Sequence, residues 1–532
     1  MPKSDVIIVG SGLAGLHAAY PLVESGAHVT MLDVGFDEAH ILEEGTTMNF
    51  EEHRQHDAQQ DKIFLGNDLS GIGAAQGDAG HAGAMTSGRR GYIVRSVDRY
   101  APVQNPGTVI TQSLASGGLS EAWGAVCGFF TQEELQSAGL PPEEMKAHYT
   151  TIIERIGVSG PSAEYDLQPP AEIDDNSKNI LRTFLSKKPF FDRIGFRVNQ
   201  PALALLTRDK DSRSATAYRD MDFWDNIGRS IYRGHYTLEK LRSYPNFTYI
   251  SNSLVKSVRQ DSTTVIVAAE DTVSHQINNF RATHVVMAAG AINTTRILLQ
   301  SFGIFDTPVP LILKNNYLIP SLLLPRLGRI SDPRRHSLCQ LTMTDTKRNN
   351  DTTDTYVQLY SYNSLLLYKL LRYVPLPIPE ALSLLSRIVP SMILADVRFS
   401  ASPGATGVSV LRRHAGGNYL EITHTETSEH KLIQDKKLKP IKRALRALGL
   451  LPLTSVRNAF GATSHYAGGV PYSDSPTTHP LSVDRNGRLH QADRIYVADA
   501  ASWNSLPGVP PALTIMANAN RIGTYVSKSL QN

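Results

Sequence analysis

The sequence predicts an α/β fold, and three stretches carry this prediction. The apolar strand Val6–Val9 runs into a glycine-rich turn and a helix, and a second apolar strand then ends at Asp33. A buried-strand pattern over residues 284–293 is followed by another helical pattern. The chain closes with a further strand and helix, over residues 494–500 and 507–519. Repeated strand–turn–helix units of this kind are typical of α/β domains.

The glycine-rich turn has the pattern and the setting of a dinucleotide-binding loop. Gly10 permits the tight turn, Gly12 lets a pyrophosphate approach the backbone, and Gly15 lets the helix pack closely on the sheet. The helix N-terminus offers unpaired N–H groups and the positive end of its dipole to the phosphates. Asp33 stands where a carboxylate would bind a ribose hydroxyl. These features predict a Rossmann-type dinucleotide site, and a glycine-rich turn that binds nothing is the alternative. The loop consists of Gly10, Ser11, Gly12, Leu13, Ala14 and Gly15.

The overall composition narrows the classes of function. A formal net charge of +3 over 532 residues is too small to suggest a protein that binds nucleic acid. The two cysteines, Cys127 and Cys339, exclude a cysteine-based zinc site or a disulfide framework, and no metal site is predicted. Only Pro2–Asp5 separate Met1 from the first strand, which leaves no room for a signal peptide. No apolar run is long enough for a spanning helix, and the small number of cysteines fits a reducing compartment. We expect a cytoplasmic protein, and attachment to the periphery of a membrane stays open.

Two prolines fall inside predicted helices. Pro21 lies in the helix that follows the glycine loop, and Pro440 lies in a helical pattern over residues 431–448. Proline lacks the N–H that a helix interior uses, and its ring clashes with the preceding turn. We therefore expect Pro21 to kink the first helix or end it early, and Pro440 to kink or break the later one.

Four separated stretches form a pattern that the first motif alone does not. They are the glycine loop, the segment Ser116–Ala125, the strand end Ala288–Ile292, and the strand Tyr496–Ala500 with the helix Leu513–Ala517 behind it. With this combination the chain resembles the glucose–methanol–choline (GMC) family of flavin oxidoreductases. The resemblance implies FAD as the cofactor and oxidation of a hydroxyl group as the activity. A second glycine motif for NAD(P)H is absent, which argues against a reductase that binds two dinucleotides.

The resemblance also implies the domain layout. A Rossmann-type FAD-binding domain built from discontinuous segments is expected at residues 1–160, 235–305 and 455–532. An α+β substrate domain with an antiparallel or mixed sheet is expected at residues 161–234 and 306–454. The substrate domain is the variable part of the family, so the identity of the substrate is not implied.

The resemblance assigns FAD contacts outside the glycine loop as well. Asp499 corresponds to the acid that binds the ribityl or pyrophosphate part of FAD. Gly117, Gly118 and Ser120 would let the backbone run close to the flavin, because glycine has no Cβ to obstruct it. The remaining predicted contacts are Trp123 beside the flavin ring (or simply in the core), Val255 near the adenine, and Ala289, Gly290, Ala500, Pro511 and Leu513.

Oxidation of an alcohol by a flavin needs a base for the hydroxyl proton, and His465 is the predicted base. An imidazole suits this task because its pKa lies near neutral pH. The resemblance implies a histidine in this part of the chain, and small residues after Tyr466 leave space for substrate. A satisfied structural histidine is the alternative. His490 matches a part of the family pattern that is usually structural.

The sequence departs from the family at Pro510, where an Asn or His usually helps the base to hold the alkoxide oxygen. Proline has no side-chain donor and no N–H. Either His465 acts alone, or Tyr466 or Asn504 substitutes, or the reaction is a different one, such as a reduction or an isomerisation. A binding module that keeps FAD without turnover also stays open. A covalent flavin would need a nearby side chain such as Cys127, and this too stays open.

The predicted substrate domain contains an unusually apolar segment, residues 363–394. It holds two short helix candidates, 363–373 and 380–389, with few charges. They either cover the core or a dimer contact, or anchor the protein at a membrane surface. The basic helix face over residues 436–446 would add attraction to anionic lipid, about 1 kcal/mol for each charge near the surface, or is a solvated face. The expected substrate is a small-molecule alcohol, either a sugar, a glycan precursor or a hydrophobic alcohol. The electron acceptor is left open.

Overall fold

Three β-sheets organise the part of the chain that the structure describes. In this computed structural model the described residues are 4–38, 56–57, 86, 88–219, 228–329, 336–345, 354–361, 374–402, 404–415, 417–476 and 479–531. Their α-helices are α1 (Leu13–Glu24), α2 (Val97–Tyr100), α3 (Gln132–Ala138), α4 (Pro142–Ile156), α5 (Asp175–Ser186), α6 (Lys188–Ile194), α7 (Gly234–Arg242), α8 (Ala291–Ser301), α9 (Ile378–Ile388), α10 (Ser428–Ala447) and α11 (Ala512–Gln531). Their strands are β1 (Ser4–Val9), β2 (Val29–Leu32), β3 (Val103–Gln104), β4 (Phe196–Asn199), β5 (Phe247–Ile250), β6 (Ser253–Gln260), β7 (Val265–Asp271), β8 (Ile277–Met287), β9 (Val309–Leu313), β10 (Asn316–Leu323), β11 (Leu341–Asp345), β12 (Thr355–Ser361), β13 (Met392–Phe399), β14 (Ala405–Arg412), β15 (Tyr419–Glu426), β16 (Leu450–Pro452), β17 (Val456–Arg457), β18 (Tyr466–Ala467), β19 (Arg488–Leu489) and β20 (Ala492–Val497).

The largest sheet joins the two ends of the chain. Its parallel strands lie in the order β20, β8, β1, β2 and β5, with β19 at one edge and the β6–β7 hairpin attached to β8. Val6 and Ile8 of β1 pack with α1 and α11 on one face. Ile7 and Val9 pack with α8 and the hairpin on the other face. A strand buried on both faces reads as a continuous apolar run, which is why β1 was recognisable in the sequence.

Two further sheets form the α+β part of the molecule. The seven-stranded sheet is antiparallel, in the order β16, β10, β13, β12, β11, β4, with β17 beside β10. The five-stranded sheet runs β18, β9, β14, β15, β3 and is mixed, because β15 and β3 are parallel. The predicted fold class, an α/β part with a second α+β part, is confirmed. The domain boundaries given above stay a prediction.

The structure corrects one of the two predicted effects of the prolines, the interruption of each helix, whereas the predicted kinks stay a prediction. Helix α1 continues past Pro21 to Glu24, and its cap residue Ser25 donates its N–H to the Pro21 carbonyl at 3.2 Å. A Cβ on Gly523 of α11 would lie 2.8 Å from Pro21 Cγ, so the proline packs into the space that this glycine leaves. Helix α10 likewise runs through Pro440 without a break. Tertiary packing therefore outweighs the local cost of each proline.

One of the two apolar helix candidates can be compared with the structure. Helix α9 (Ile378–Ile388) corresponds to the candidate at 380–389. The candidate at 363–373 lies outside the described residues. Among the residues that are described, no helix is both long and apolar enough to cross a membrane.

Candidate active site

A cavity of about 740 Å³ opens at the carboxyl ends of the parallel strands. Gly10 follows β1, Asp33 follows β2, Ala288 follows β8 and Asp499 follows β20, and all four line the cavity. Ligands of open α/β sheets bind at this edge, where the strand order reverses. The cavity extends to side chains of the seven-stranded sheet, including Arg398. Residues from both ends of the chain and from its middle thus meet around one space.

The three glycines of the loop have different neighbours, and the difference separates structural from ligand-facing positions. Gly10 has φ +98°, and a Cβ there would lie 2.7 Å from the Ala288 carbonyl oxygen. A Cβ on Gly15 would lie 1.9 Å from the Gly10 oxygen, so Gly15 lets α1 pack on the loop without lining the cavity. Gly12 has no atom within 4 Å of such a Cβ, although it lines the cavity. Gly12 therefore leaves space that the protein itself does not fill, as a pyrophosphate requires.

Asp33 faces the cavity from the end of β2 and is held by the glycine loop. Ser11 Oγ donates a hydrogen bond to Asp33 Oδ2, and the Tyr249 hydroxyl approaches the same oxygen at 3.4 Å. Burial raises the pKa of Asp33 to about 6, although these hydrogen bonds oppose the rise. Ser11 Oγ also accepts the Gly117 N–H at 3.1 Å, which fixes the glycine loop to the segment that begins at Ser116.

Asp499 organises the other side of the cavity. It accepts hydrogen bonds from the Gly290 N–H at 2.9 Å, the Thr294 hydroxyl at 2.5 Å and the Ala501 N–H at 2.9 Å. Burial raises the pKa of Asp499 to about 6. The carboxylate thereby fixes the turn before α8 and the end of β20. The predicted neighbours Ala289, Gly290, Ala500 and Pro511 line the cavity, as does Val255.

The two raised pKa values give the apoprotein a stability that depends on pH. A carboxyl whose pKa is raised by folding binds its proton more tightly in the folded state. Its contribution is fully present below the unfolded-state pKa of about 3.9 and is lost as the pH rises through the folded-state pKa of about 6. We expect the unfolding free energy to fall over this range, and Asp33→Asn to flatten the fall in urea titrations of the apoprotein. Asp192→Asn, at an exposed carboxylate paired with Lys188, is the control. An unchanged slope in Asp33→Asn would contradict the assignment.

A buried contact between a carboxyl group and an imidazole holds the segment that was expected near the flavin. Gly117 and Gly118 have φ values of +82° and +64°, and a Cβ on Gly118 would lie 3.2 Å from Gly12 Cα. Glu121 Oε2 lies 2.5 Å from His235 Nδ1, with both side chains almost fully buried. Trp123 donates its indole N–H to the Tyr232 carbonyl at 2.7 Å. Gly118, Ser120 and Trp123 line the cavity, whereas Gly117 supports the turn from outside it. The sequence analysis missed the Glu121–His235 pair because its members are 114 positions apart.

His465 lines the cavity and stands next to an arginine. Its Nε2 lies 3.4 Å from Arg398 Nη1, and its buried Nδ1 has no hydrogen-bond partner among the described residues. Burial, followed by the positive charges of Arg398 and Lys314, holds the pKa of His465 well below its usual value. Because arginine only donates, Nε2 is the nitrogen that carries the lone pair. His465 is thus a neutral imidazole with its basic atom facing a cation.

Arg398 and its partners are functional candidates that the sequence analysis did not name. Asp396 accepts from Arg398 Nε at 2.9 Å and Nη2 at 2.7 Å, and from Asn316 Nδ2 at 2.6 Å. Asp396 is fully buried. Burial opposes the charge of Arg398, but the Asp396 carboxylate and the Tyr360 hydroxyl hold the pKa of Arg398 above its usual value. Two opposite charges two positions apart in an apolar strand were the available signal, since such residues share a face.

The side chains considered as substitutes at Pro510 occupy different places. Tyr466 lines the cavity, but its hydroxyl already accepts the Thr111 N–H at 2.8 Å and donates to the Gly461 carbonyl at 3.2 Å. Asn504 is exposed, outside the cavity lining, and donates to the Tyr472 carbonyl at 3.0 Å. The suggestion that Asn504 assists the base is therefore corrected, because its side chain is committed to a surface turn.

Three further residues lie outside the cavity lining. Leu513 is fully buried in the core beneath the first turn of α11, so its predicted contact with FAD is corrected to a packing role. Cys127 is buried in the same core, and burial raises the pKa of its thiol. His490 has its Nε2 2.9 Å from the Ser473 carbonyl, as a structural histidine would. No group of three or more His, Cys, Asp or Glu side chains in the described residues is arranged to bind a metal.

Comparisons with known proteins agree with this geometry. Residues 424–519, which include His465 and Asp499, match the GMC oxidoreductase family model. This part of the chain is therefore similar to GMC oxidoreductases. An FAD-binding domain model matches residues 5–61, which contain the glycine loop and Asp33. FAD is therefore the cofactor, and the chain is an FAD-dependent oxidoreductase.

Similarity in structure is broad, whereas similarity in sequence is low. The crystal structure of pyridoxine 4-oxidase from Mesorbium loti superposes with a TM-score of 0.58 and 14% sequence identity, covering 100% of both chains. At this identity the likeness shows a shared fold. No protein with a curated function is similar enough in sequence to count as a match.

The residues that line the cavity fit FAD independently of these comparisons. Gly12 leaves open space at the start of α1, and that helix has no side-chain cap to occupy its first N–H groups. These free donors and the dipole of α1 suit a pyrophosphate. Asp33 lies at the end of β2, where a ribose hydroxyl can donate to a carboxylate.

Proposed function

We propose that this enzyme oxidises the hydroxyl group of a small-molecule alcohol with His465 as the base. The observation that supports this most strongly is the neutral state of His465 beside Arg398. Burial and two neighbouring cations hold the pKa of His465 low, so the imidazole is unprotonated at neutral pH. A base must be unprotonated before it reacts, and this environment secures that condition.

The chain's own groups then have defined tasks. The substrate hydroxyl donates to His465 Nε2, which takes its proton when the C–H bond breaks. FAD, when bound, accepts the hydride that leaves the carbinol carbon. Asp33, Asp499 and the glycine loop hold the cofactor and take no part in proton transfer.

The substrate class follows from the cavity only in outline. Alcohols of modest size fit a cavity of about 740 Å³ that also takes part of the cofactor. A sugar, a glycan precursor and a hydrophobic alcohol are the candidates, and pyridoxine joins them because a protein of the same fold is named for its oxidation. The electron acceptor is either oxygen or a carrier at a membrane or on a protein.

Anaerobic mixing of the holoenzyme with pyridoxine, benzyl alcohol and glucose tests the proposal. Bleaching of the flavin by at least one of them supports it.

Pro510 favours a second candidate. It lines the cavity and brings no hydrogen-bond donor to the place where the family has one. A flavin reaction that does not remove a hydroxyl proton, or a binding module that keeps FAD without turnover, would tolerate this residue. If the same anaerobic mixing leaves the flavin oxidised with every alcohol, these alternatives replace alcohol oxidation.

An apolar patch supports a further proposal, contact with an anionic membrane surface. Gly328 donates its N–H to the Arg387 carbonyl at 3.1 Å, and Leu453 donates its N–H to the Pro320 carbonyl at 2.9 Å, which brings three segments together. Their exposed large side chains form the patch: Leu324, Leu327, Leu376, Ile378, Leu384, Leu451 and Leu453. Helix α10 leads directly into β16 at the patch and exposes Lys436, Lys439, Arg443 and Arg446. Apolar side chains next to cations are what binding to an anionic lipid interface requires.

A vesicle experiment tests this contact. Ile378 and Leu453 are 66% and 54% exposed, so glutamate at both positions should leave the fold intact. We expect the wild-type enzyme to sediment with phosphatidylserine-containing vesicles, and Ile378→Glu/Leu453→Glu to lose at least about tenfold in partitioning. Val273→Glu, at an apolar residue 75% exposed in the β7–β8 turn, is the matched control. Wild-type protein that stays in the supernatant, or a double variant that binds like the control, would end the membrane proposal.

A further inference from the structure

Arg398 presents one guanidinium nitrogen to the cavity, and its other two nitrogens are hydrogen-bonded to Asp396. Nε and Nη2 both donate to Asp396 Oδ2, which leaves Nη1 beside His465 Nε2 at 3.4 Å. The Arg398 side chain is 12% exposed and lines the cavity. Asp396 in turn is fixed by Asn316. The guanidinium is therefore oriented before any ligand arrives, and its remaining donor points to the base.

The strand that carries Arg398 is fastened to the loop that carries Pro510. Gly508 donates its N–H to Ser400 Oγ at 2.9 Å, and Ala401 donates its N–H to the Leu506 carbonyl at 2.9 Å. Lys314 Nζ donates to the Pro507 carbonyl in the same place. Arg398 and Pro510 thus border one region of the cavity, where Arg398 supplies a donor and Pro510 does not.

We propose that Arg398 Nη1 donates a hydrogen bond to the substrate oxygen whose proton His465 removes, and so supplies the donor that Pro510 lacks. This inference rests on the proposed function. The oxygen lies between Nη1 and His465 Nε2, accepting from the first and donating to the second. As the proton moves to Nε2 and the hydride leaves the carbon, negative charge develops on the oxygen, which lies next to a fixed guanidinium. A donor aimed at developing charge in a buried site is strongest in the transition state.

Kinetics of flavin reduction separate this role from a structural one. Arg398→Gln should lower the limiting rate of anaerobic flavin reduction about 10²–10³-fold, the size seen on loss of one oxyanion donor. Arg398→Lys should recover part of the rate, because a cation is restored. Arg457→Gln is the matched control, since Arg457, on β17 of the seven-stranded sheet, is also paired with a carboxylate, that of Glu426, but does not line the cavity. FAD content of each variant, read from its absorbance, reports whether the site is still assembled.

Two additions keep the test decisive if Arg398→Gln folds poorly. Asp396→Asn/Arg398→Gln removes both charges of the pair and avoids an unpaired buried carboxylate. Calorimetric titration of the holoenzymes with benzoate, an anion whose oxygen can occupy the same place, gives a readout that does not depend on turnover. We expect benzoate to bind the wild-type enzyme and to bind both glutamine variants at least about tenfold more weakly. If neither variant retains FAD, the inference is tested by benzoate binding to the wild-type enzyme alone. A wild-type enzyme that does not bind benzoate overturns the inference.

The outcomes separate the two claims. If alcohols reduce the wild-type flavin, His465→Ala abolishes the reaction and Arg398→Gln leaves the rate within twofold, this inference fails while the proposed function stands. An Arg457→Gln variant that loses as much rate as Arg398→Gln also overturns it. If no alcohol reduces the wild-type flavin, both the proposed function and this inference fail.

Discussion

Replacing His465 with alanine is expected to slow the reduction of FAD by an alcohol substrate about 10²–10⁴-fold, the usual range for loss of a general base. The imidazole is held neutral and presents Nε2 to the cavity, so its removal takes away the proposed acceptor of the hydroxyl proton. The limiting rate of flavin reduction in anaerobic stopped-flow mixing is the measurement. FAD should remain bound, because no predicted FAD contact depends on the imidazole.

His490→Ala is the control for this variant. His490 lies outside the cavity lining, and its Nε2 contacts the Ser473 carbonyl at 2.9 Å. We expect its rate of flavin reduction to match that of the wild-type enzyme. Equal rates for His465→Ala and the wild type would remove His465 from the mechanism. A rate that recovers in His465→Ala when imidazole is added to the buffer would strengthen the assignment.

Replacing Gly12 with alanine is expected to weaken FAD binding about 10–100-fold while leaving the apoprotein as stable as before. The added methyl group meets no protein atom within 4 Å, and Gly12 has φ −67°, which alanine adopts without strain. The methyl group does enter the space in which the pyrophosphate should approach the backbone. Loss of one or two charge-assisted hydrogen bonds to phosphate accounts for the expected change in affinity. Fluorescence titration of the apoprotein with FAD measures it.

Gly15→Ala is the informative comparison for Gly12→Ala. A Cβ on Gly15 would lie 1.9 Å from the Gly10 carbonyl oxygen, so this variant should lower the apoprotein's stability by about 1–3 kcal/mol as an overpacked core does. Urea denaturation of the two apoproteins should therefore separate them clearly. Wild-type FAD affinity in Gly12→Ala would show that the pyrophosphate does not pass this residue.

Local sequence patterns explain why the residues at the predicted cofactor end of the cavity could be named from the sequence. The glycine loop, Asp33 and Asp499 each lie directly after a buried strand, and the turn that follows a parallel strand has few allowed geometries. Their positions around one cavity follow from the sheet order. The sequence analysis therefore named residues that share one cavity without any knowledge of long-range contacts. Their contacts with FAD stay a prediction.

Long-range contacts explain what the sequence analysis missed. Arg398 reaches His465 because β13 pairs with β10 and because Ser400, just after β13, is hydrogen-bonded to the loop before α11. No local sequence pattern encodes either contact. Asn504 was named as a polar group that could replace the donor missing at Pro510, yet its side chain lies on a surface turn. Pro21 was expected to disturb α1, but Gly523 of α11 leaves room for its ring. In each case a partner far away in the chain decided the outcome.

The central claim is the proposal that this oxidoreductase takes a hydride from a carbinol carbon while His465 takes the hydroxyl proton. Anaerobic stopped-flow mixing of the holoenzyme with whichever alcohol of the panel reduces it, compared with the same alcohol deuterated at the carbinol carbon, tests this most directly. The account predicts that the flavin bleaches with both and that the deuterated alcohol reacts more slowly, since the C–H bond breaks in the reductive step. A flavin that stays oxidised with every alcohol would contradict it. So would equal rates of bleaching with the protiated and the deuterated alcohol under conditions in which C–H cleavage limits the rate.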